Sequence, residues 1–227
     1  PTIKELNFVL DMLYGASLSY RNTFFGDCQV IGFVLETLGK RYLPDHEQID
    51  PLQKGLGVIE QMMFHPLLDE NGLLRADAVQ SEIENTCDDI RAQTNDTRSY
   101  ARMRLRECMF AGQPYGSSLV GKVEQVQGFT PEMLTAHWHR VLESARIECF
   151  YVGSDDPPYV ASLLEDVFAL APMTLLPIPQ ATIPPCREQA QYVTEEMEVA
   201  QGKLEIGFRT GILPNHADAV AQSVFNE

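Results

Sequence analysis

The sequence predicts an α+β fold, an antiparallel sheet packed by helices. Three observations carry that expectation. One is a stretch of strict apolar–polar alternation that ends in a two-residue turn and returns as a second apolar run. Another is a series of segments with apolar residues three and four apart, several opening on helix-capping signals. The last is composition: 44% hydrophobic and 22% charged residues over 227 positions is ordinary globular usage and enough chain to bury a core.

Residues 2–14 read as a helix. Thr2 followed by Glu5 is a capping box, Leu6, Val9, Leu10 and Leu13 form one face, and Gly15 ends it. The hairpin follows. Ala16, Leu18, Tyr20, Asn22 and Phe24 alternate with Ser17, Ser19, Arg21 and Thr23. Gly26-Asp27 suits a type II′ turn because glycine comes first. Residues 28–36 return as a strand whose near-continuous apolar character (Val30, Ile31, Phe33, Val34, Leu35) predicts a central position covered on both faces. A helix is expected at 50–64 with Leu56, Ile59, Met62 and Met63 inward, then a loop at 65–69. Another helix is expected at 76–93, where Val79, Ile83, Cys87 and Ile90 are spaced four, four and three.

Residues 94–97 interrupt that pattern, which resumes through Tyr100, Met103, Leu105 and Met109, and 113–116 form a turn. Thr130 with Pro131 opens the next helix as N-cap and first helical residue. A strand is expected at 147–152 and a helix at 156–168. Five prolines between 172 and 185 mark a semi-rigid linker. Beyond it lie two strand candidates, 189–193 and 203–209, and a short helix from Asn215.

The charge balance is 17 basic against 32 acidic residues, a net of −15. Such a chain repels phosphate backbones and anionic lipid surfaces, and no basic stripe is evident to offset it, so no nucleic acid and no membrane are expected as partners. No apolar run approaches the ~20 residues of a spanning helix. The start has neither a signal-peptide pattern nor an initiator Met, and reads as a piece of a longer chain. Five cysteines, an odd number with no CxxC pair, read as buried reduced thiols and place the protein in the cytoplasm.

Side chains that could carry chemistry are sparse. None of the five histidines forms HxxEH or HxxxH, and His137 and His139, two apart on a helix, cannot share a metal. There is no GxSxG, no phosphate loop and no dinucleotide fingerprint. Acids gather at Glu82, Glu84, Asp88 and Asp89. Glu82 and Asp89 are two helical turns apart and share one face, the pattern of an ordinary solvated surface as much as of a site.

An ordered set of segments nonetheless resembles the insulinase (pitrilysin-type) zinc metallopeptidases, which include the mitochondrial processing peptidase. The set comprises Leu13-Tyr14-Gly15-Ala16 and its hairpin, Val79-Gln80-Ser81-Glu82, Asn95-Asp96-Thr97, Met109-Phe110 with Pro114-Tyr115-Gly116, Gly121, Thr130 to Leu134, and Val152-Gly153-Ser154-Asp155. Gln201-Gly202-Lys203-Leu204 and Gly207 to Gly211 look most like a bacterial branch in which many members lack the metal motif and occur beside a catalytic relative.

The resemblance implies a subunit of two similar α+β halves. Residues 1–171 would be the first half without its N-terminal segment, 172–188 the linker, and 189–227 the start of the second half. In active members zinc is held by HxxEH and a downstream Glu. On that register Glu82 takes the place of the accompanying acid and Asp89 that of the ligand. Asp is about one methylene shorter than Glu, so zinc–oxygen bonds of ~2.0–2.2 Å would require the helix to shift. No cofactor is therefore expected in this fragment. Substrate in the family adds as a strand to a sheet edge, matched here by Tyr20, Asn22 and Phe24. The implied function is a non-catalytic peptidase-like subunit that pairs with a catalytic family member, or with itself, and helps enclose a peptide. The alternatives are a zinc metalloendopeptidase whose HxxEH lies upstream and a purely structural assembly protein.

Overall fold

The computed structural model describes residues 3–44, 46–169, 176–179, 188–212 and 216–225. Helix α1 (Ile3–Met12) leads into strand β1 (Ser17–Phe25) and strand β2 (Cys28–Glu36). Helices α2 (Pro51–Phe64), α3 (Ala76–Ala92), α4 (Thr97–Met109), α5 (Val123–Val126), α6 (Pro131–Ser144), α7 (Pro157–Val167) and α8 (Ala219–Phe225) follow. The expected Thr2 cap and Asn215 lie outside the described residues.

The two strands pair antiparallel from Ser17↔Glu36 to Phe25↔Cys28. The turn takes the expected form: φ is +57° at Gly26 and negative at Asp27, the sign pattern of type II′, which glycine alone adopts without strain. One face of the hairpin carries Leu18, Phe33 and Leu35 onto a cluster formed by Leu56 and Ile59 of α2 and Leu163 and Val167 of α7. Leu18 also touches the α1 cluster of Leu10, Leu13 and Ala16, so one side chain joins both. Burying each such side chain contributes roughly 1.5–3 kcal/mol.

Polar ties fix the helices around this core. Asp50 caps α2 by accepting from Gln53 N at 3.0 Å, and its other oxygen accepts from the Tyr159 hydroxyl of α7 at 2.6 Å. Trp138 Nε1 of α6 donates to the Met63 carbonyl at 2.9 Å. Buried Thr135 accepts from Leu74 N at 2.9 Å and donates to the Pro131 carbonyl at 2.7 Å, which holds α6 against the entry to α3.

Several expectations are corrected. Strand β2 has no buried residue, and Ile31 is 61% exposed; its apolar run meets helices on one face rather than being covered on both. Met62 faces outward, because the inward stripe of α2 passes through Leu56, Ile59 and Met63. Residues 147–152, 189–193 and 203–209 join no ladder among the described residues, where β1 and β2 form the sheet. A strand exists only with a partner edge, and Val152, 99% exposed, has none beside it. Of the four described cysteines, all unpaired, Cys87 alone is buried and Cys149 is exposed.

Candidate functional site

In a hairpin closed by two residues, the pair flanking the turn exchanges both ladder bonds, and bonded and non-bonded pairs then alternate. With Phe25↔Cys28 at the turn, the non-bonded pairs are Phe24↔Gln29, Asn22↔Ile31, Tyr20↔Phe33 and Leu18↔Leu35. The backbone N–H and C=O groups of Tyr20, Asn22 and Phe24 therefore point away from β2, along the outer edge of β1. Among the described residues no backbone hydrogen bond from another segment reaches that edge. The three residues named from sequence thus all have outward-facing main chain, as does Leu18. Their side chains differ: Tyr20 is largely exposed, while Asn22 and Phe24 are half-buried. Asn22 Nδ2 donates to the Leu119 carbonyl at 3.4 Å and its Oδ1 accepts from Gln29 Nε2 at 2.9 Å.

Phe24 connects this edge to α4. Its ring lies edge-on to Tyr115 at 6.0 Å, and Tyr115 meets Phe110 in the same manner at 4.8 Å. The Arg106 guanidinium sits over both rings of that contact, 5.4 Å from Phe24 and 5.9 Å from Tyr115, and donates to the Ser117 carbonyl at 3.2 Å. Beside it lies an open groove of about 440 Å³ whose lining includes Arg102, Met103, Arg106, Met109, Phe110 and Tyr115. Sequence reading missed this groove. The available signal was the spacing of Arg98, Arg102 and Arg106, four and four, which puts three guanidinium groups on one face of α4 and corrects the expectation that no basic stripe offsets the acidity.

Residues 188–212 run against the same helix. Glu195 accepts from Arg104 Nε at 2.7 Å and from the Tyr100 hydroxyl at 2.9 Å, and these donors, Arg104 first, hold its carboxyl below the usual range. Glu205 faces Arg102 at 3.8 Å, and Arg209 lies over the Phe110 ring at 5.5 Å. The backbone at Gly207 approaches Met109 so closely that a Cβ there would stand 2.2 Å from its sulfur. Leu204, Ile206 and Phe208 remain exposed. On α3, Glu82 and Asp89 are both exposed.

No known protein-family model matches the sequence. The chain is 31% identical over 226 residues to the Bacillus subtilis (strain 168) protein named "Probable inactive metalloprotease YmfF", a match that covers 100% of this chain and 52% of that protein. It therefore spans about half the length of its curated relative. Among solved structures, a conserved protein from Enterococcus faecalis V583 superposes with a TM-score of 0.72 at 20% identity over 83% of this chain and 43% of that one. An M16 peptidase inactive domain from Pseudomonas fluorescens gives 0.54 at 14% over 78% and 40%, and an M16-like peptidase from Alicyclobacillus acidocaldarius gives 0.50 at 18% over 71% and 34%. These likenesses match an insulinase-type (M16) peptidase fold, with the Bacillus relative named an inactive metalloprotease.

Zinc is the resident metal of active insulinase-type peptidases, so the described residues can be tested against it. On the register expected from the sequence, the ligand position would fall at Asp89 and the accompanying acid at Glu82. Both lie on the open face of α3, and among the described residues no three His, Cys, Asp or Glu side chains converge on one point. A structural or catalytic zinc needs at least three such groups at ~2.0–2.3 Å. The described residues do not fit the metal, and no hydrolytic step is routed through it. What this chain does present is a sheet edge and, beside it, a groove lined by arginines and aromatic rings.

Proposed function

We propose that this chain is part of a non-catalytic peptidase-like protein that pairs with a catalytic relative and helps enclose an extended peptide, the peptide adding as a strand along the outer edge of β1. The observation that carries this reading is the outward-facing main chain of Tyr20, Asn22 and Phe24, which has no backbone partner among the described residues. Strand addition draws affinity from main-chain hydrogen bonds and needs no catalytic side chain. The non-catalytic part of the reading is supported by the name of the Bacillus relative and by an exposed Asp89 at the expected ligand position. It is preferred here over the alternative of a zinc endopeptidase completed by an upstream HxxEH.

In this reading residues 1–171 form a first half, 172–188 join it to a second, and 189–227 open that second half. Most of 172–188 lies outside the described residues. The partner is a catalytic family member or a further copy of this chain. The unpaired cysteines support a cytoplasmic site of action, and no helix among the described residues is long and apolar enough to cross a membrane.

Amide hydrogen exchange with and without an excess of a Val- and Thr-rich peptide tests the edge. The expected result is slowed exchange at Tyr20, Asn22 and Phe24, with Ser19, Arg21 and Thr23 unchanged because their amides already bond β2. Unchanged exchange at the first three, under conditions where the peptide binds, overturns the reading.

A further inference from the structure

Four of the 17 basic residues fall within positions 98–106: Arg98, Arg102, Arg104 and Arg106. They stand in a chain of net charge −15, so this stretch sets where an anionic group is drawn. The last three differ in their partners. Arg104 is held by Glu195 and Glu107. Arg102 faces Glu205 at 3.8 Å. Arg106 faces no carboxylate among the described residues: it has the Ser117 carbonyl and two aromatic rings, and its Nε is shut off from solvent without an acceptor. The chain's own extended segment therefore supplies carboxylates to Arg104 and Arg102 but not to Arg106. Met103, Met109, Phe110 and Tyr115 flank Arg106 in this groove and offer an anion no competing carboxylate. Tyr115 also touches Phe24, the outward-facing residue of β1 nearest the turn, so a strand laid along that edge passes beside the groove.

We propose that this groove receives a carboxylate of the docked peptide, with Arg106 as its main partner and Arg102 as the second, which makes the preferred ligand an acidic or free-C-terminal extended peptide. The inference rests on the edge-docking reading above. A carboxylate is the matching group because a guanidinium offers it paired, charge-assisted hydrogen bonds, and because Glu195 and Glu205 show the neighbouring arginines accepting that chemistry from an extended segment. An acidic side chain and a peptide C-terminus share the chemistry.

The test measures fluorescence anisotropy with labelled peptides of one Val- and Thr-rich sequence. They differ only in a Glu or Gln near one end and in a free or amidated C-terminus. Wild type is expected to bind at least one carboxylate-bearing peptide about tenfold tighter than the peptide with neither, the size of one charge-assisted bond. The peptide that carries the gap identifies the source, side chain or terminus. R106Q should remove the gap, and R106K should keep part of it. A melting temperature for R106Q within about 2 °C of wild type shows that the fold is intact. Equal affinities of all peptides for wild type, or a gap that survives R106Q, overturn the proposal. N22P separates the two readings. If it weakens every peptide while all bind wild type equally, the edge stands and the carboxylate site falls. If it changes nothing while R106Q abolishes the gap, the carboxylate site stands and the edge falls. Failure of wild type to bind any of the peptides overturns both.

Discussion

Replacing Tyr159 by Phe deletes one oxygen at the junction of α2 and α7. That hydroxyl donates to Asp50 Oδ2 at 2.6 Å, while the same carboxylate caps α2 through Gln53 N and faces Lys40 Nζ at 3.8 Å. Asp50 is 9% exposed, so its charge relies on these donors rather than on water. A hydrogen bond to a charged acceptor contributes about 1.5–3 kcal/mol. Tyr159 is 37% exposed and water competes for its hydroxyl, which puts the expected loss at the lower end, about 1.5 kcal/mol. In a chain of this size that is a fall of roughly 3–6 °C in melting temperature. The pH dependence has a definite sign. The hydrogen bond to Asp50, aided by burial, pushes the Tyr159 phenol up to about 12, so the folded state holds this proton more tightly than the unfolded state, where tyrosine titrates near ~10. The contribution is complete below pH ~10 and is lost as pH rises through about 12. Urea unfolding of wild type and Y159F at pH 7 and at pH ~11.5 reads it directly, because the variant lacks only this titration. The stability gap should narrow at the higher pH. A gap below ~0.5 kcal/mol at pH 7, or one that widens with pH, would refute the reasoning.

Two further outcomes are expected. Glu195 has its carboxyl lowered by Arg104 and Tyr100, so its contacts are complete above the ordinary carboxylate value of ~4.3 and are lost as pH falls below it; limited proteolysis should cut residues 188–212 faster in E195Q at pH 7, and equal cleavage rates would refute the contact. Zinc content after dialysis, measured by mass spectrometry, should be the same in wild type, E82Q and D89A, and one zinc per chain in wild type that D89A removes would show that these acids do hold metal.

The elements legible in the sequence are those whose signals are local. Thr130-Pro131 predicts the start of α6, and Thr130 accepts from Met133 N at 3.3 Å as the cap requires. Gly26-Asp27 predicts the turn and, through the two-residue loop, the register that turns Tyr20, Asn22 and Phe24 outward. The spacing in 76–93 finds the inward stripe of α3, where Val79 and Cys87 are buried. The segments 147–152 and 203–209 have strand-like patterns but join no ladder among the described residues. Alternation states which residues fit a strand, whereas pairing depends on an edge that distant residues must supply. The arginine groove was hidden for a related reason. A charge total averages over the chain, and the partners that distinguish Arg106 from Arg104 come from residues 24, 115 and 195, far apart in sequence.

Metal binding and strand addition make different demands on a chain. Zinc needs several side chains placed to within tenths of an ångström, so a change of one methylene at a ligand position must be met by a shift of the helix that carries it. An edge needs an extended backbone with N–H and C=O groups turned outward, which the pairing of β1 with β2 sets whatever the side chains on α3 are. On the proposed reading, peptide recognition is therefore separable from peptide cleavage at the level of secondary structure. The side chains left to provide selectivity are those at the end of the edge, where Phe24 meets Tyr115 and Arg106. Charge at that point changes which peptides dock without touching the hydrogen bonds that dock them.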